Sequence, residues 1–568
     1  MKLIPNVKEF KQGERRELKG CTFIFPENCD KRVINLASKI PQGDTVVKVS
    51  VYGIKGENYK ITFKDEILIS ASSYQGAFYA IQTIRQIVKN GYYDVSEIVD
   101  GPDFGVRGFY YDITRGRIPT LETLKTLVDT LAYYKMNMLQ LYVEHVFPFE
   151  EYDGVYQRTG YMTPEETKEL DRYCRENFVE LVPALSCFGH LYELLQNGKY
   201  KHLCEYESYK PEAIEWCERM EHHTIDVSNP ESIEVIKSLI NQYAPLFTSD
   251  KFNICCDETF DLCNGRNAGK DKAREYVNFV NKIVAHVKSL GKKPMMWGDI
   301  ISQHAELIGE LDEDITYLSW EYSPNPSPDC IEKIKEAKRP QYVCPGLNNW
   351  ASLMELTHRS IPNITKMAKF GWDASARGLL TTCWGDYGHT SPLEACMYGL
   401  IYSSDIGWNI NGNTDTFDKR IDFLHYGYEG ASSLIKKLSE ANKVNYWWDL
   451  CAHISNLRFN NSKMCAKTPD PDELNSAFAQ CEEILPYLMA SKWENEDARN
   501  TFVVVAQGIE YMIAMLVSIQ CGEKCGVNMN DVEEWLKEYA KLYLKESKRG
   551  ELQEFVKVMY ELALKYLA

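Results

Sequence analysis

The sequence lacks an uninterrupted apolar run of membrane-spanning length, an excess of positive charge and any paired-cysteine motif, and each absence removes a class of function. Its opening, Met1-Lys-Leu-Ile-Pro-Asn-Val-Lys-Glu-Phe10, has no apolar centre of the kind a secretory leader needs. The nearest approach to a span, Phe502 to Ile519, is interrupted by Gln507 and Glu510 and reads as a buried helix of a soluble protein. A formal net charge of -17, spread without long runs, argues against nucleic acid or an anionic membrane as a partner. The 18 cysteines include no Cys-x-x-Cys pair and no Cys/His spacing of a zinc site, and many sit inside apolar runs as small core residues. The expectation is therefore a cytoplasmic protein in a reducing setting, with neither metal nor other cofactor. No short internal repeat or low-complexity tract is present either.

What the chain does have is an ordinary globular composition, 44% hydrophobic and 26% charged over 568 residues, enough for about three or four domains. Residues 1–103 predict a small α+β domain. Strands are expected at Cys21–Phe25, Thr45–Tyr52, Tyr59–Phe63 and Ile67–Ala71, and a helix from about Ser73 to Lys89 with Ala77, Tyr79, Ala80, Ile84 and Ile87 on its buried side. Gly101-Pro102-Asp103 punctuates the exit. Residues 104–412 then alternate short apolar runs with amphipathic segments. The eight runs are Val106–Asp112, Met138–Glu144, Val179–Leu185, Phe252–Asp257, Lys293–Trp297, Ile315–Trp320, Gln341–Cys344 and Gly378–Trp384, which is the pattern of an α/β (β/α)8 barrel. Thr163-Pro164-Glu165-Glu166, a capping box with proline at the first helical position, and Asn229-Pro230-Glu231 open two of the intervening helices. Residues 413–568 lose the strand-like runs. Glu429–Val444, Asp472–Ser491, Asp497–Ile519 and Asp531–Leu567 predict an α-helical domain, suited either to forming a homodimer or to buttressing the barrel, with Asn445-Tyr446-Trp447-Trp448 as packing between domains.

Chemistry in such a barrel sits at the C-terminal ends of the strands, and here every expected strand ends on something useful. The first delivers Asp112 and Arg115, the second Glu144 and His145, and Gly189-His190 comes just after the third. The fourth delivers Asp257-Glu258, the fifth Trp297 and Asp299, the sixth Trp320 and Glu321. Asn348, Asn349 and Trp350 come after the seventh, and the eighth ends in Trp384-Gly385-Asp386-Tyr387. An adjacent Asp-Glu pair by itself is most often an acidic turn. Four tryptophans interleaved with carboxylates and an arginine instead describe an aromatic cup with a hydrogen-bonding rim, suited to a sugar. A divalent metal is the competing use of so many carboxylates, though hard-metal sites rarely need aromatic walls. Adjacent carboxylates also fit poorly with an acid and a nucleophile about 5 Å apart on separate strands, and better with a nucleophile supplied by the substrate.

These residues resemble the family 20 glycoside hydrolases, the β-N-acetylhexosaminidases. The likeness rests on Cys256-Asp257-Glu258, on Arg107-Gly108-Phe-Tyr-Tyr-Asp112-Ile-Thr-Arg115, on Phe188-Gly189-His190, on Trp384-Gly385-Asp386, and on the approach Asp103-Phe104-x-Val106-Arg107-Gly108. It covers residues 1 to about 410, and the helical tail suggests three-domain bacterial exo-β-N-acetylglucosaminidases. The resemblance implies hydrolysis of terminal β-linked N-acetylglucosamine, or N-acetylgalactosamine, from a glycan, through an oxazolinium-type intermediate formed by the substrate's own acetamido oxygen. Glu258 becomes the general acid and base, and Asp257 the partner of the acetamido N–H. Arg115 and Asp386 bind hydroxyls of the terminal sugar, and Trp297, Trp320 and Trp384 form its walls, with Trp350 nearby. His190 supports the pair through a relay with Glu144 or His145. The chain departs from the family at Tyr142-Val-Glu144-His145, where a His-x-x-x-Asp pattern is common. It departs again at Leu347-Asn-Asn-Trp350, which lacks the tyrosine that contacts the acetamido oxygen, leaving Tyr387 as the substitute. A catalytically silent glycan-binding barrel, a metal-dependent barrel hydrolase and a transglycosylase remain the alternatives.

Overall fold

The computed structural model describes residues 1–152, 154–196, 198–207, 219, 223–445, 447–454, 458–459, 462–463, 469–522 and 525–568. Tyr446, within the segment read as interdomain packing, lies outside them.

The N-terminal part is a six-stranded sheet: β1 (Glu9–Glu17), β2 (Cys21–Ile24), β3 (Thr45–Val51), β4 (Tyr59–Phe63), β5 (Ile67–Ala71) and β6 (Tyr92–Asp100), in the order β1-β6-β4-β5-β3-β2. Alternation of buried and exposed residues along β4 and β5 turns one face toward the helix Tyr74–Asn90. Ser73 caps that helix by accepting the Gln75 and Gly76 N–H groups, and Gly91, at φ 78°, ends it. The helix joins the sheet to the second part of the chain: Gln86 Nε2 donates to the Tyr133 carbonyl at 3.4 Å, and Tyr79 meets the edge of Trp408 at 5.4 Å. Asp100 ties the junction, taking Trp408 Nε1 at 2.8 Å, the Tyr59 hydroxyl, and the buried Lys135 ammonium at 3.3 Å. β1 and β6 are not anticipated by the sequence pattern. For β1 the reason is plain, because Glu-Phe-Lys-Gln-Gly-Glu-Arg-Arg-Glu is exposed almost throughout and carries no apolar signal.

Eight parallel strands close the barrel that the sequence pattern predicts: β7 (Val106–Asp112), β8 (Met138–Val143), β9 (Glu180–Leu185), β10 (Lys251–Asn253), β11 (Lys293–Trp297), β12 (Thr316–Trp320), β13 (Gln341–Cys344) and β14 (Gly378–Cys383). Closure runs through β14 and β7, paired from Gly378 opposite Val106 to Cys383 opposite Tyr111. Tyr110, Met138, Tyr142, Val182, Ala184, Met295, Leu318, Tyr342, Cys344 and Leu380 pack its interior, so the barrel is a filled core whose one open end is chemical. β10 is shorter than its apolar run. The ladder stops at Asn253 because that side chain accepts the Cys255 N–H at 2.9 Å and turns the chain out of the strand.

The remaining described residues are helical apart from a short two-stranded pairing at Arg458–Phe459 and Ser462–Lys463. Helix Glu496–Cys521 is long and apolar enough to cross a membrane, yet 61% of its most apolar window is buried, and it packs on helix Pro471–Ala490. The last expected helix is in fact two, Met529–Glu546 and Leu552–Tyr566. They are broken at residues 547–551 because Gly550 takes a left-handed φ of 49° and has no room for a Cβ beside the Gly116 carbonyl. This turn grips the loop after β7. The Tyr543 hydroxyl and the Glu551 N–H both donate to Gly116 O, at 2.5 and 2.9 Å, and the Lys548 N–H donates to Ile118 O at 2.8 Å.

Candidate active site

Past Asn253 the chain takes a strained path. Cys255, Cys256 and Glu258 all have left-handed backbones, with φ of 58°, 64° and 46°. Each costs about 1–3 kcal/mol for a non-glycine residue, so the surroundings must hold them. They do so with four hydrogen bonds: Asn253 Oδ1 to Cys255, the Trp297 N–H to Cys255 O at 3.0 Å, the Tyr276 hydroxyl to Cys256 O at 2.8 Å, and Asp299 Oδ2 accepting the Glu258 N–H at 3.2 Å. The result is that Asp257 and Glu258, though adjacent, both face one point. His190 Nε2 stands 3.4 Å from Asp257 Oδ2 and 3.5 Å from Glu258 Oε2. His190 itself has a φ of 54°, the turn that Gly189 introduces after β9.

On the far side of the imidazole, Arg115 Nη2 lies 3.1 Å from Nδ1. Burial works against protonation of His190, and the Asp257 charge and hydrogen bond outweigh it, so its basicity is raised. Arg115 stands between His190 and Glu144, so the polar chain from the imidazole reaches Glu144 through the guanidinium. His145 is fully buried, with its Nδ1 3.9 Å from Glu144.

Arg115 is the hub. It pairs with Asp386 Oδ1 at 2.6 Å and with Glu144 Oε1 at 3.4 Å, and its guanidinium lies 5.4 Å from the Trp384 ring centre. Asp112 holds it in place: Oδ1 accepts the Thr114 and Arg115 N–H groups at 2.9 and 3.1 Å, while Oδ2 accepts the Gly385 N–H at 3.0 Å, stapling the loops after β7 and β14. Burial pushes Asp386 up to about 6 against the pull of Arg115. Burial would raise Glu144 as well, but His145, Arg115 and His190 together hold it at about 2. Glu144 is thus an anion that orients Arg115. Replacing Arg115 by alanine is expected to raise KM for a terminal sugar about 10- to 100-fold, the worth of one or two charged hydrogen bonds, as read from initial rates.

The aromatic residues form two groups. Trp297, Trp384 and Tyr110 form a buried cluster with the barrel interior, Tyr110 lying 5.0 Å from both indoles and the indoles 5.7 Å from each other. Trp320 and Trp350 are half-buried and joined through Tyr322, which stacks on Trp320 at 4.9 Å and tilts against Trp350 at 5.1 Å. Trp384 Nε1 donates to the Tyr322 hydroxyl at 2.8 Å, linking the groups. Tyr387 is buried, its ring edge-on to Trp448 at 5.7 Å, so the phenol among the wall residues is Tyr322. Tyr322 lies just past the end of β12, and no periodicity in the sequence marks it. Asn348 and Asn349 are structural: Asn349 Nδ2 donates to the Trp384 carbonyl at 2.8 Å, and Asn348 Nδ2 to the Tyr322 carbonyl at 3.3 Å.

Among the described residues, His190, Asp257 and Glu258 bring three ligand atoms within 4.8 Å of one another, a set that can hold a divalent ion. Arg115 against the same imidazole disfavours a second cation there.

The class of protein is set by an eight-stranded parallel barrel that carries a carboxylate pair, an arginine hub and a cluster of indoles where its strands end. More particularly, the chain belongs to glycosyl hydrolase family 20. Residues 104–337 match the model of that family's catalytic domain and residues 28–100 match its domain 2, together more than half of the chain. A beta-hexosaminidase of Porphyromonas gingivalis is 25% identical over 307 residues, covering 47% of this chain and only 38% of that protein. The chitobiase of Flavobacterium johnsoniae has a similar fold over 99% of both chains, with a TM-score of 0.62 at 17% identity. The exo beta-N-acetylglucosaminidase of Vibrio harveyi, solved in complex with N-acetylglucosamine, shares the fold over 74% of this chain and 76% of its own, with a TM-score of 0.58 at 15% identity.

Proposed function

We propose that the protein is an exo-acting, retaining β-N-acetylhexosaminidase that removes terminal β-linked N-acetylglucosamine, and N-acetylgalactosamine where the C4 epimer is accepted. The observation that carries this reading is the single polar chain Asp386–Arg115–His190–Asp257/Glu258. It joins groups suited to sugar hydroxyls to groups suited to the scissile bond. Arg115 and Asp386 seat the terminal ring on Trp384. Asp257 accepts the acetamido N–H, which turns the acetamido oxygen toward C1 and offsets the positive charge that grows there. That oxygen attacks C1 while Glu258 gives its proton to the leaving oxygen. Glu258 then takes a proton from the water that reopens the cyclic intermediate, so the anomeric configuration is retained. Tyr322, whose oxygen already accepts from Trp384 Nε1, donates a hydrogen bond through its O–H to the acetamido oxygen and keeps its proton. Tyr322→Phe is accordingly expected to lower kcat about 10- to 100-fold on N-acetyl substrates while thermal stability stays within a few degrees, measured by parallel kinetics and melting.

The reading is tested by hydrolysis of a chromogenic N-acetyl-β-glucosaminide beside the matching β-glucoside, with and without a thiazoline mimic of the cyclised intermediate and with and without a chelator. Cleavage of the N-acetyl substrate alone, blocked by the mimic and indifferent to the chelator, supports it. Equal cleavage of both sugars would mean a protein nucleophile, and loss of activity with the chelator would return the site to metal chemistry.

A further inference from the structure

The acidic pair has a third carboxyl beside it that the proposed chemistry leaves unused. Asp299 comes after Trp297-Gly298 at the end of β11, and β11 is the barrel neighbour of β10, so Asp299 meets the strained turn from the side. Its Oδ2 accepts the Glu258 backbone N–H at 3.2 Å. Its Oδ1 is closed off from solvent and has no hydrogen-bond partner among the described residues. The titratable groups facing it are Asp257 and Glu258 beyond β10, Cys256 in the same turn, Tyr276 from helix Lys272–Ser289 and Cys330 from helix Asp329–Glu336. None of them is a cation. A third full charge here would have no counterion of its own and would leave a buried anionic oxygen unpartnered, which is costly.

We propose that Asp299 is a positioning residue for Glu258: it pins the Glu258 N–H, so preserving the left-handed turn that aims the acid, and it does this as a neutral carboxyl. The inference rests on the acid role proposed for Glu258. Burial, reinforced by the charges of Asp257 and Glu258, pushes Asp299 up to about 8, in keeping with the geometry.

The test compares wild type, Asp299→Asn and Asp299→Ala on the para-nitrophenyl N-acetyl-β-glucosaminide from about pH 4 to pH 10. Asparagine keeps an acceptor oxygen for the Glu258 N–H and is neutral at every pH, whereas alanine removes the acceptor. The alanine variant is expected to lose about 10- to 100-fold in kcat with KM nearly unchanged, as misaiming of a catalytic group does. The asparagine variant is expected to keep kcat within about three-fold near pH 6, because it restores the acceptor that alanine removes. The infrared band of a protonated carboxyl at neutral pH, present in wild type, should weaken in Asp299→Asn. Wild-type kcat in the alanine variant, a loss in the asparagine variant as large as in the alanine variant, or an unchanged carboxyl band in the asparagine variant would overturn the proposal. If alanine prevents folding, the asparagine kcat and band decide. Failure of wild type itself to cleave the substrate would sink the acid role of Glu258, and the carboxyl band would still report on Asp299.

Discussion

Glu258→Gln is expected to cut turnover of an unactivated N-acetylglucosaminyl disaccharide about 10²- to 10⁴-fold, the range for loss of a general acid and base. The loss should shrink on a nitrophenyl glycoside, whose leaving group needs little protonation, because there only the second step still calls on Glu258. KM should hold, since the groups proposed to seat the terminal ring are Arg115, Asp386 and the indoles. The backbone N–H to Asp299 and the left-handed turn are indifferent to whether the side chain is an acid or an amide, so the fold is expected to survive. Steady-state rates on the two substrates, with circular dichroism as the control, provide the check. Full activity on the disaccharide would remove Glu258 from the acid role.

Asp257→Asn should cost about 10²- to 10³-fold in kcat on N-acetyl substrates, the scale on which one preorganised electrostatic contact acts. Its carboxylate does two things at once. It is aimed at the acetamido group, and it faces His190 Nε2 at 3.4 Å. The amide can still accept a hydrogen bond from the acetamido N–H but no longer offsets the charge developing on it. The predicted signature is therefore a fall in kcat with KM little changed and the thiazoline mimic binding more weakly, because its basic ring nitrogen gains positive charge beside the carboxylate and the neutral substrate does not. A variant as active as wild type would mean that the acetamido group is not polarised by this residue.

The barrel was legible because parallel strands covered on both faces must be apolar along their length, and Val106–Asp112, Lys293–Trp297 and Gln341–Cys344 stop in the structure where their apolar runs stop. β1 was not legible, since an exposed polar strand has no hydrophobic period to read. Neither was the early end of β10, which depends on an Asn253 side chain competing for a backbone donor two residues on. The grouping of Arg115, Glu144, His190, Asp257, Glu258 and Asp386 could be anticipated from strand ends alone, because topology brings those ends together. How they are wired could not. That His190 leans on Arg115 and that Tyr322 stands among the indoles depend on rotamers and loop paths set by residues far away in sequence, and spacing carries no record of these.

The turn at residues 547–551 has a consequence for how the protein comes into being. Gly116, next to the proposed sugar-binding arginine, is held by a hydroxyl 427 residues further along the chain. A chain made from its N-terminus at about 5–20 residues per second exposes the whole barrel well before Tyr543 and Glu551 leave the ribosome. Until they arrive, the Arg115 loop lacks the clasp that fixes it. The newly made barrel can thus be folded and yet incomplete, its Arg115 loop fastened only once residues 543–551 have been synthesised.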